Sequence, residues 1–227
     1  MSYTLITANR NYSSWSLRPW LLMTALGIPF EDRIEPFAQA DSWQAYRAFS
    51  PTGQVPVLID GDRTIWDSLG IVMYLADRHE GVWPANEDAR AWAQSAVAEM
   101  HGGFAALRNE RTMNVGVRAD PKPGSAALAR DVARIAELWG EGLDQFGGPW
   151  LAGGAFTGVD AFYAPVAFRV RTYGIDVGEA GQRWTAAVLA HPATQEWERA
   201  ALADPTRDAR NEAYLAMCGT VVEDHRG

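Results

Sequence analysis

Every segment of this chain that reads as a β-strand lies before residue 67, and no convincing strand pattern follows residue 81. "YTLITA" (Tyr3 to Ala8) is a β-branched and apolar run ending at a polar cluster, the pattern of a buried strand. "FEDRIEPF" (Phe30 to Phe37) can form a second strand with Pro36 near its end. "VPVLID" and "RTIW" supply two more, separated by the turn signal Asp60-Gly61-Asp62. Between them lie helical patterns. Leu17, Trp20, Leu21 and Thr24 share a face and stop at Gly27 and Pro29, Ser42 to Phe49 can form a short helix, and Asp67 to Gly81 reads as a helix capped by Asp67 or Ser68. The order β-α-β-α-β-β-α implies a right-handed parallel crossover followed by a hairpin, hence one mixed sheet with helices on its faces.

The breaker-rich "GVWPANED" then divides the chain, giving an α/β unit over residues 1–81, a linker over 82–88 and an all-helical unit over 89–227. Glu87 to Asn109 reads as one long helix, with Trp92, Met100, Phe104 and Leu107 at helical spacings, and Ser125 to Phe146 as a second. A loop, "GGPWLAGGAF", precedes a helix over "TGVDAFYAPVAFRVRTYG"; shorter helices are expected at Arg183 to Leu189, Ala193 to Leu202 and Arg207 to Met217.

Composition narrows the function. The 227 residues are 48% hydrophobic and 21% charged, enough to bury a sizeable core. A net charge of -8 argues against a phosphate-backbone binder, whose contacts need concentrated Lys and Arg. A small-molecule partner fits better, with no nucleic acid. Cys218 is the sole cysteine, so no intramolecular disulfide or dithiol chemistry is available, in keeping with a cytoplasmic protein. No apolar run approaches the ~18 residues of a membrane span, so no membrane partner is expected. His79, His191 and His225 have no short ligand spacing and no metal is predicted. The chain also lacks G-x-x-x-x-G-K-[ST] and G-x-S-x-G, which leaves a P-loop or a nucleophile elbow without support.

The chemistry concentrates in "NRNYSSWSLRPW", where Tyr12, Ser13, Ser14 and Ser16 separate the first strand from the first helix. Any of these serines can cap a helix. Pro19 limits the start: with Ser16 as N-cap it falls in the first turn, where its missing N–H is tolerated. Thr157 and Asp160 in "TGVD" stand at capping-box spacing and carry a structural expectation.

Four motifs in order resemble the soluble glutathione S-transferases. "SSWSLRPWLLM" is similar to the zeta-class pattern "SSCSxRVRIAL", and "GQVPVLID" to the loop and strand around the family's cis-proline. "DS" at Asp67 and Ser68 matches an acidic residue and serine pair, and "FTGVDAFYAPV" a capping-box segment. The resemblance covers nearly the whole chain. It implies a thioredoxin-like N-terminal domain followed by a helical bundle, glutathione as co-substrate without a metal, a small electrophile, and a homodimer.

Carried over by position, the resemblance puts Ser13 at the thiol-activating serine, with Ser14 and Tyr12 as runners-up. Val55 precedes the cis-proline Pro56 and would pair its backbone with the cysteinyl part of glutathione, assisted by Gln54. Asp67 and Ser68 suit the γ-glutamyl amino and carboxylate groups. Gly53 stands where relatives often carry a basic residue, and Trp15 where the zeta pattern has cysteine. The electrophile site is expected between the domains, with Met100, His101, Phe104 and Arg108 as candidates. Met100 and Phe104 also read as core, whereas a buried Arg108 would need a carboxylate or an anionic substrate. The implied reaction is conjugation, with glutathione-dependent isomerisation or dehalogenation as alternatives. A non-catalytic glutathione-binding or protein-interaction module is the contrasting reading.

Overall fold

A computed structural model of the chain describes residues 3–37 and 42–227. The first part follows the expected order: β1 (Tyr3–Thr7), α1 (Ser14–Ala25), β2 (Phe30–Ile34), α2 (Ser42–Tyr46), β3 (Val57–Asp60), β4 (Arg63–Ile65) and α3 (Ser68–Ala76). The sheet runs β2-β1-β3-β4. β1 pairs parallel with β2, Leu5 opposite Asp32, and antiparallel with β3, Leu5 opposite Leu58; β3 and β4 form the hairpin. The second strand stops at Ile34, short of the expected Phe37, and β3 begins at Val57, after the proline.

The remainder comprises α4 (Glu87–Gly102), α5 (Ala105–Glu110), β5 (Val117–Pro121), α6 (Ala126–Phe146), α7 (Gly158–Tyr173), α8 (Gly178–Ala190), α9 (Pro192–Ala203), α10 (Ala209–Cys218) and β6 (Gly219–Asp224). Three sequence expectations are corrected here. The single helix over Glu87 to Asn109 is two helices. "HGGF" ends α4 because Gly103 sits where a Cβ would come within 2.7 Å of Glu99 O, and Phe104 then takes a left-handed φ of 56°. That conformation costs a non-glycine residue of order 1 kcal/mol, and burial of the Phe104 ring edge-on to Tyr163 offsets it.

The second correction is that strands do occur after residue 81: β5 and β6 pair antiparallel, Val117 opposite Asp224. The partners are about a hundred residues apart in sequence, so a local pattern could not reveal the pairing. Third, the helix expected at Arg183 begins at Gly178.

The two parts share one continuous core. Leu17 and Leu21 of α1, Ile71 and Leu75 of α3, Val97 of α4, Trp139 of α6 and Phe162 and Val166 of α7 belong to one buried cluster. α7 is its axis, with every residue buried except Arg171. A helix that meets protein on every face is largely apolar, and the polar side chains it carries need partners inside. Its N-terminus is held by the expected capping box, in which Asp160 Oδ2 accepts from Thr157 N at 3.0 Å and Thr157 Oγ1 at 3.4 Å. Asp160 Oδ1 accepts from Leu151 N and Trp184 Nε1, at 2.9 and 3.0 Å. Burial pushes this carboxyl up to about 6, against the pull of its four donors. Among the described residues no helix is long and apolar enough to cross a membrane.

Asp160→Asn is therefore expected to destabilise nearly as much as Asp160→Ala. The amide NH2 would face the N–H donors of Leu151 and Trp184 or, turned about, that of Thr157, at a cost of about 2–3 kcal/mol in urea unfolding. A loss below ~0.5 kcal/mol for the asparagine variant would contradict this account of α7.

Candidate functional site

The loop between β1 and α1 is fixed by side chains distant in sequence. Asn11 donates from Nδ2 to Ala201 O at 2.7 Å, while its Oδ1 accepts from Gly116 N. Asn9 donates to Asp204 and accepts from Phe37 N. Arg10 pairs with Asp32 and lies over Trp20 and Trp197, and Trp197 Nε1 donates back to Arg10 O at 3.0 Å. The sheet and the helices of the second half thus grip the segment carrying the hydroxyl cluster.

That cluster does not divide its labour as the sequence suggests. Ser13, not Ser16, is the N-cap of α1, and its Oγ accepts from Ser16 N at 3.4 Å. Ser16 Oγ accepts from Ala8 N and from the Ser13 hydroxyl, tying the helix to the end of β1. Helix capping is decided here by long-range packing of α1, which holds Pro19 inside the helix despite its missing N–H. Ser14, the first residue of α1, makes no side-chain hydrogen bond among the described residues. Tyr12 donates its hydroxyl to Glu212 Oε1 at 2.7 Å, and burial with that bond raises its pKa.

A cavity of about 850 Å³ opens between the two halves. On one wall it carries Ser13 and Ser14, Val55 and Pro56, and Asp67 and Ser68. The Val55–Pro56 bond is cis, and the Val55 backbone makes no hydrogen bond with the described residues. Gln54 is exposed, its backbone held on both sides by Ser50 Oγ at 2.6 and 3.1 Å. Asp67 caps α3 through Oδ1, accepting from Leu69 N and Gly70 N, and its Oδ2 lies 3.2 Å from His101 Nε2. Ser68 is buried, with no partner for its hydroxyl. One wall thus offers an open backbone edge, a carboxylate and a hydroxyl at a helix N-terminus, the groups that recognise an extended peptide with a free amino acid end.

Gly53 has a φ of +68°, and a Cβ there would come within 2.5 Å of the Trp43 ring. No basic side chain could stand at this position without displacing the tryptophan.

From the second half of the chain the cavity is lined by His101, Arg108 and Arg169, with Arg210 at the start of α10. Of the four candidates for this side, His101 and Arg108 reach the cavity. Met100 and Phe104 do not: Met100 is fully buried in the core and Phe104 turns toward Tyr163, because the chain reverses at Gly103 and their common helical face no longer exists. Trp15 fills the space a cysteine would have left. Its ring meets His101 edge-on at 5.4 Å and stacks with Arg18 at 4.1 Å.

Sequence reasoning missed Arg18, Arg169 and Arg210. The signal for Arg169 was an arginine inside the otherwise apolar run "YAPVAF" to "RV". Burial, reinforced by like charge, pulls Arg18 down to about 9 and Arg169 to about 10, leaving both protonated at neutral pH. Among the described residues no cluster of His, Cys, Asp and Glu could hold a metal.

Two family models match the chain, "Glutathione S-transferase, N-terminal domain" over residues 12–78 and "Glutathione S-transferase, C-terminal domain" over residues 122–200. Dichloromethane dehalogenase of Methylophilus leisingeri is 56% identical over 32 residues, 14% of this chain and 12% of that protein. Glutathione S-transferase 1 of Schizosaccharomyces pombe is 36% identical over 69 residues, 27% of this chain and 30% of the relative. The chain thus spans less than a third of the length of these relatives. Among solved structures, a glutathione transferase homologue from Burkholderia with bound glutathione superposes with a TM-score of 0.67 at 19% identity, covering 88% of this chain and 98% of that one. Glutathione transferase Omega 3C from Trametes versicolor gives 0.68 at 16% identity, covering 95% and 91%. Likeness at this identity is likeness of fold.

The hydrogen bonds separate the two serines in stability. Ser13→Ala removes the α1 cap and is expected to cost about 1 kcal/mol in urea unfolding, whereas Ser14→Ala should stay within ~0.5 kcal/mol of wild type. Equal losses for the two variants would contradict the capping assignment.

Proposed function

The chain belongs to the glutathione S-transferase family, and from that premise we propose that it activates the glutathione thiol through a serine hydroxyl for attack on a small electrophile. Residues 1–81 hold glutathione and 89–227 supply the electrophile side. One observation supports the reading: the Val55 backbone, without a hydrogen bond among the described residues, the Asp67–Ser68 pair and the serines at the α1 N-terminus line one cavity.

In this reading Val55 pairs with the cysteinyl backbone, Asp67 receives the γ-glutamyl ammonium and Ser68 the carboxylate, with Gln54 beside the peptide. The thiol then lies at the start of α1. An ordinary thiol has a pKa of ~8.5, and catalysis needs the thiolate. A hydroxyl donor and a helix N-terminus both favour the charged form, and two units of lowering correspond to roughly 2.7 kcal/mol. Alignment favours Ser13. Side-chain geometry supports Ser14, because the Ser13 proton is engaged with Ser16 and the Tyr12 proton with Glu212. The pair is therefore treated as one donor site in which Ser13 can act by turning from Ser16.

Conjugation is the default reaction. Dehalogenation is the second reading, supported by the short matches to two dichloromethane dehalogenases; it begins with the same attack on a carbon bearing halogen. A homodimer in the cytoplasm completes the proposal, with exposed Trp66 and Met73 beside β4 and on α3 as apolar surface for the second copy.

Adding glutathione should produce ultraviolet thiolate absorbance, and a generic aryl halide should turn over. Ser14→Ala or Ser13→Ala should raise the apparent thiol pKa by ~1–2 units. Thiolate formation indifferent to both substitutions removes the serines from the role, and tight binding without turnover on a panel including dichloromethane favours a non-catalytic module. Sedimentation equilibrium at micromolar concentration should give a dimer, and a monomer would remove that part of the proposal.

A further inference from the structure

Arg108 and Arg169 of the helical half line the cavity, and Arg18 of α1 is buried over the Trp15 ring; among the described residues none of the three has a carboxylate within ion-pair distance. Arg10, Arg134, Arg171 and Arg226 each have an acidic partner, whereas Arg18, Arg108 and Arg169 have none among the described residues. Arg18 is 1% exposed, and its Nε and Nη1 are buried without acceptors. Its guanidinium lies between the Trp15 ring at 4.1 Å and the Phe162 ring at 4.7 Å. Arg108 lies over the same Trp15 ring at 5.3 Å. It donates Nη1 to the carbonyls of Met100 and His101 at 3.2 and 3.3 Å, which leaves Nε and Nη2 without an acceptor among the described residues. Arg169 donates Nε to Arg111 O and Nη1 to Pro165 O, leaving Nη2.

The acids felt electrostatically are Asp67 by Arg18 and Asp131 by Arg108. Asp67 is engaged with α3 amides and His101, and Asp131 with Leu107 N at 3.0 Å. Removing cations from water without a counterion is strongly unfavourable, so a cluster of this kind is balanced by an anion brought to it. Arg108 and Arg169 line the cavity on α5 and α7, in the same space as the residues that offer peptide contacts.

We propose that the second substrate of this protein is an electrophile bearing a carboxylate, held by Arg108 with Arg169 beside it in the cavity and Arg18 buried behind. This rests on the glutathione reading above. For an activated aryl halide the step balances simply. The glutathione sulfur forms the C–S bond, the C–Cl bond breaks with its electron pair leaving as chloride, and the thiol proton passes to solvent.

The test compares 4-chloro-3,5-dinitrobenzoate with its methyl ester, each rate divided by the uncatalysed rate with glutathione because the ester is intrinsically more reactive. Wild type should prefer the carboxylate by ~10-fold or more in normalised kcat/KM, the worth of one charge-assisted hydrogen bond. Arg108→Gln should lose that preference mainly through KM, Arg108→Lys should keep part of it, and glutathione affinity should hold in both. Thermal unfolding confirms that the variants are folded. Equal normalised rates in wild type overturn the proposal, as does a preference unchanged in a folded Arg108→Gln. Weakened glutathione binding with intact electrophile preference would assign the arginine to a carboxylate of glutathione and overturn it too. Should neither halide turn over, the glutathione reading fails separately. The anion site is then read from quenching of tryptophan fluorescence by 3,5-dinitrobenzoate against its methyl ester: carboxylate-selective quenching lost in Arg108→Gln supports the site, and no selectivity overturns it.

Discussion

The joint between the halves of this molecule is a polar loop of four residues, Asn9 to Tyr12, whose side chains bond to both. Asn11 joins α9 to the start of β5 through the two ends of one amide. Arg10 is clasped between Trp20 of the sheet domain and Trp197 of α9 while pairing with Asp32 on β2. Buried polar groups paired to several elements at once specify one arrangement, since a shift leaves several of them unpaired. The serines that follow inherit this fixed position, and so does the helix they begin.

Around that joint the core is continuous, so the cavity is a seam within a packed body. α7 is its axis, and the residues it buries include one carboxylate and two groups that would ordinarily seek water, Arg169 and Thr172. The carboxylate, Asp160, is answered by four donors; Thr172 donates to Asn114 O at 2.8 Å. Arg169 is answered only by carbonyls. The contrast between satisfied polar groups at the ends of the seam and undercompensated positive charge along one wall gives the cavity its chemical character.

Much of the fold could be read directly, because its determinants are local. The β-branched and apolar runs, the Asp60-Gly61-Asp62 turn and the apolar stripe after Asp67 each act over a few residues, and they led to the observed sheet and its three helices. The Thr157–Asp160 box was legible for the same reason. Met100 and Phe104 misled because a helical stripe looks continuous across a glycine pair until the backbone reversal at Phe104 is seen. The β5–β6 pairing was invisible because each strand is completed by a distant partner.

The sequence by itself determined the order of elements in the first half and a hydroxyl cluster at the first helix, since local propensity and chain order suffice for these. Tertiary structure decided which serine caps, because Ser16 is claimed by the amide of Ala8. It also decided that Arg18 and Arg108, on different helices, would both lie over the Trp15 ring, and that Arg108 and Arg169 would line one cavity. Charge proximity in a folded chain is set by packing between elements far apart in sequence, and no local pattern encodes it.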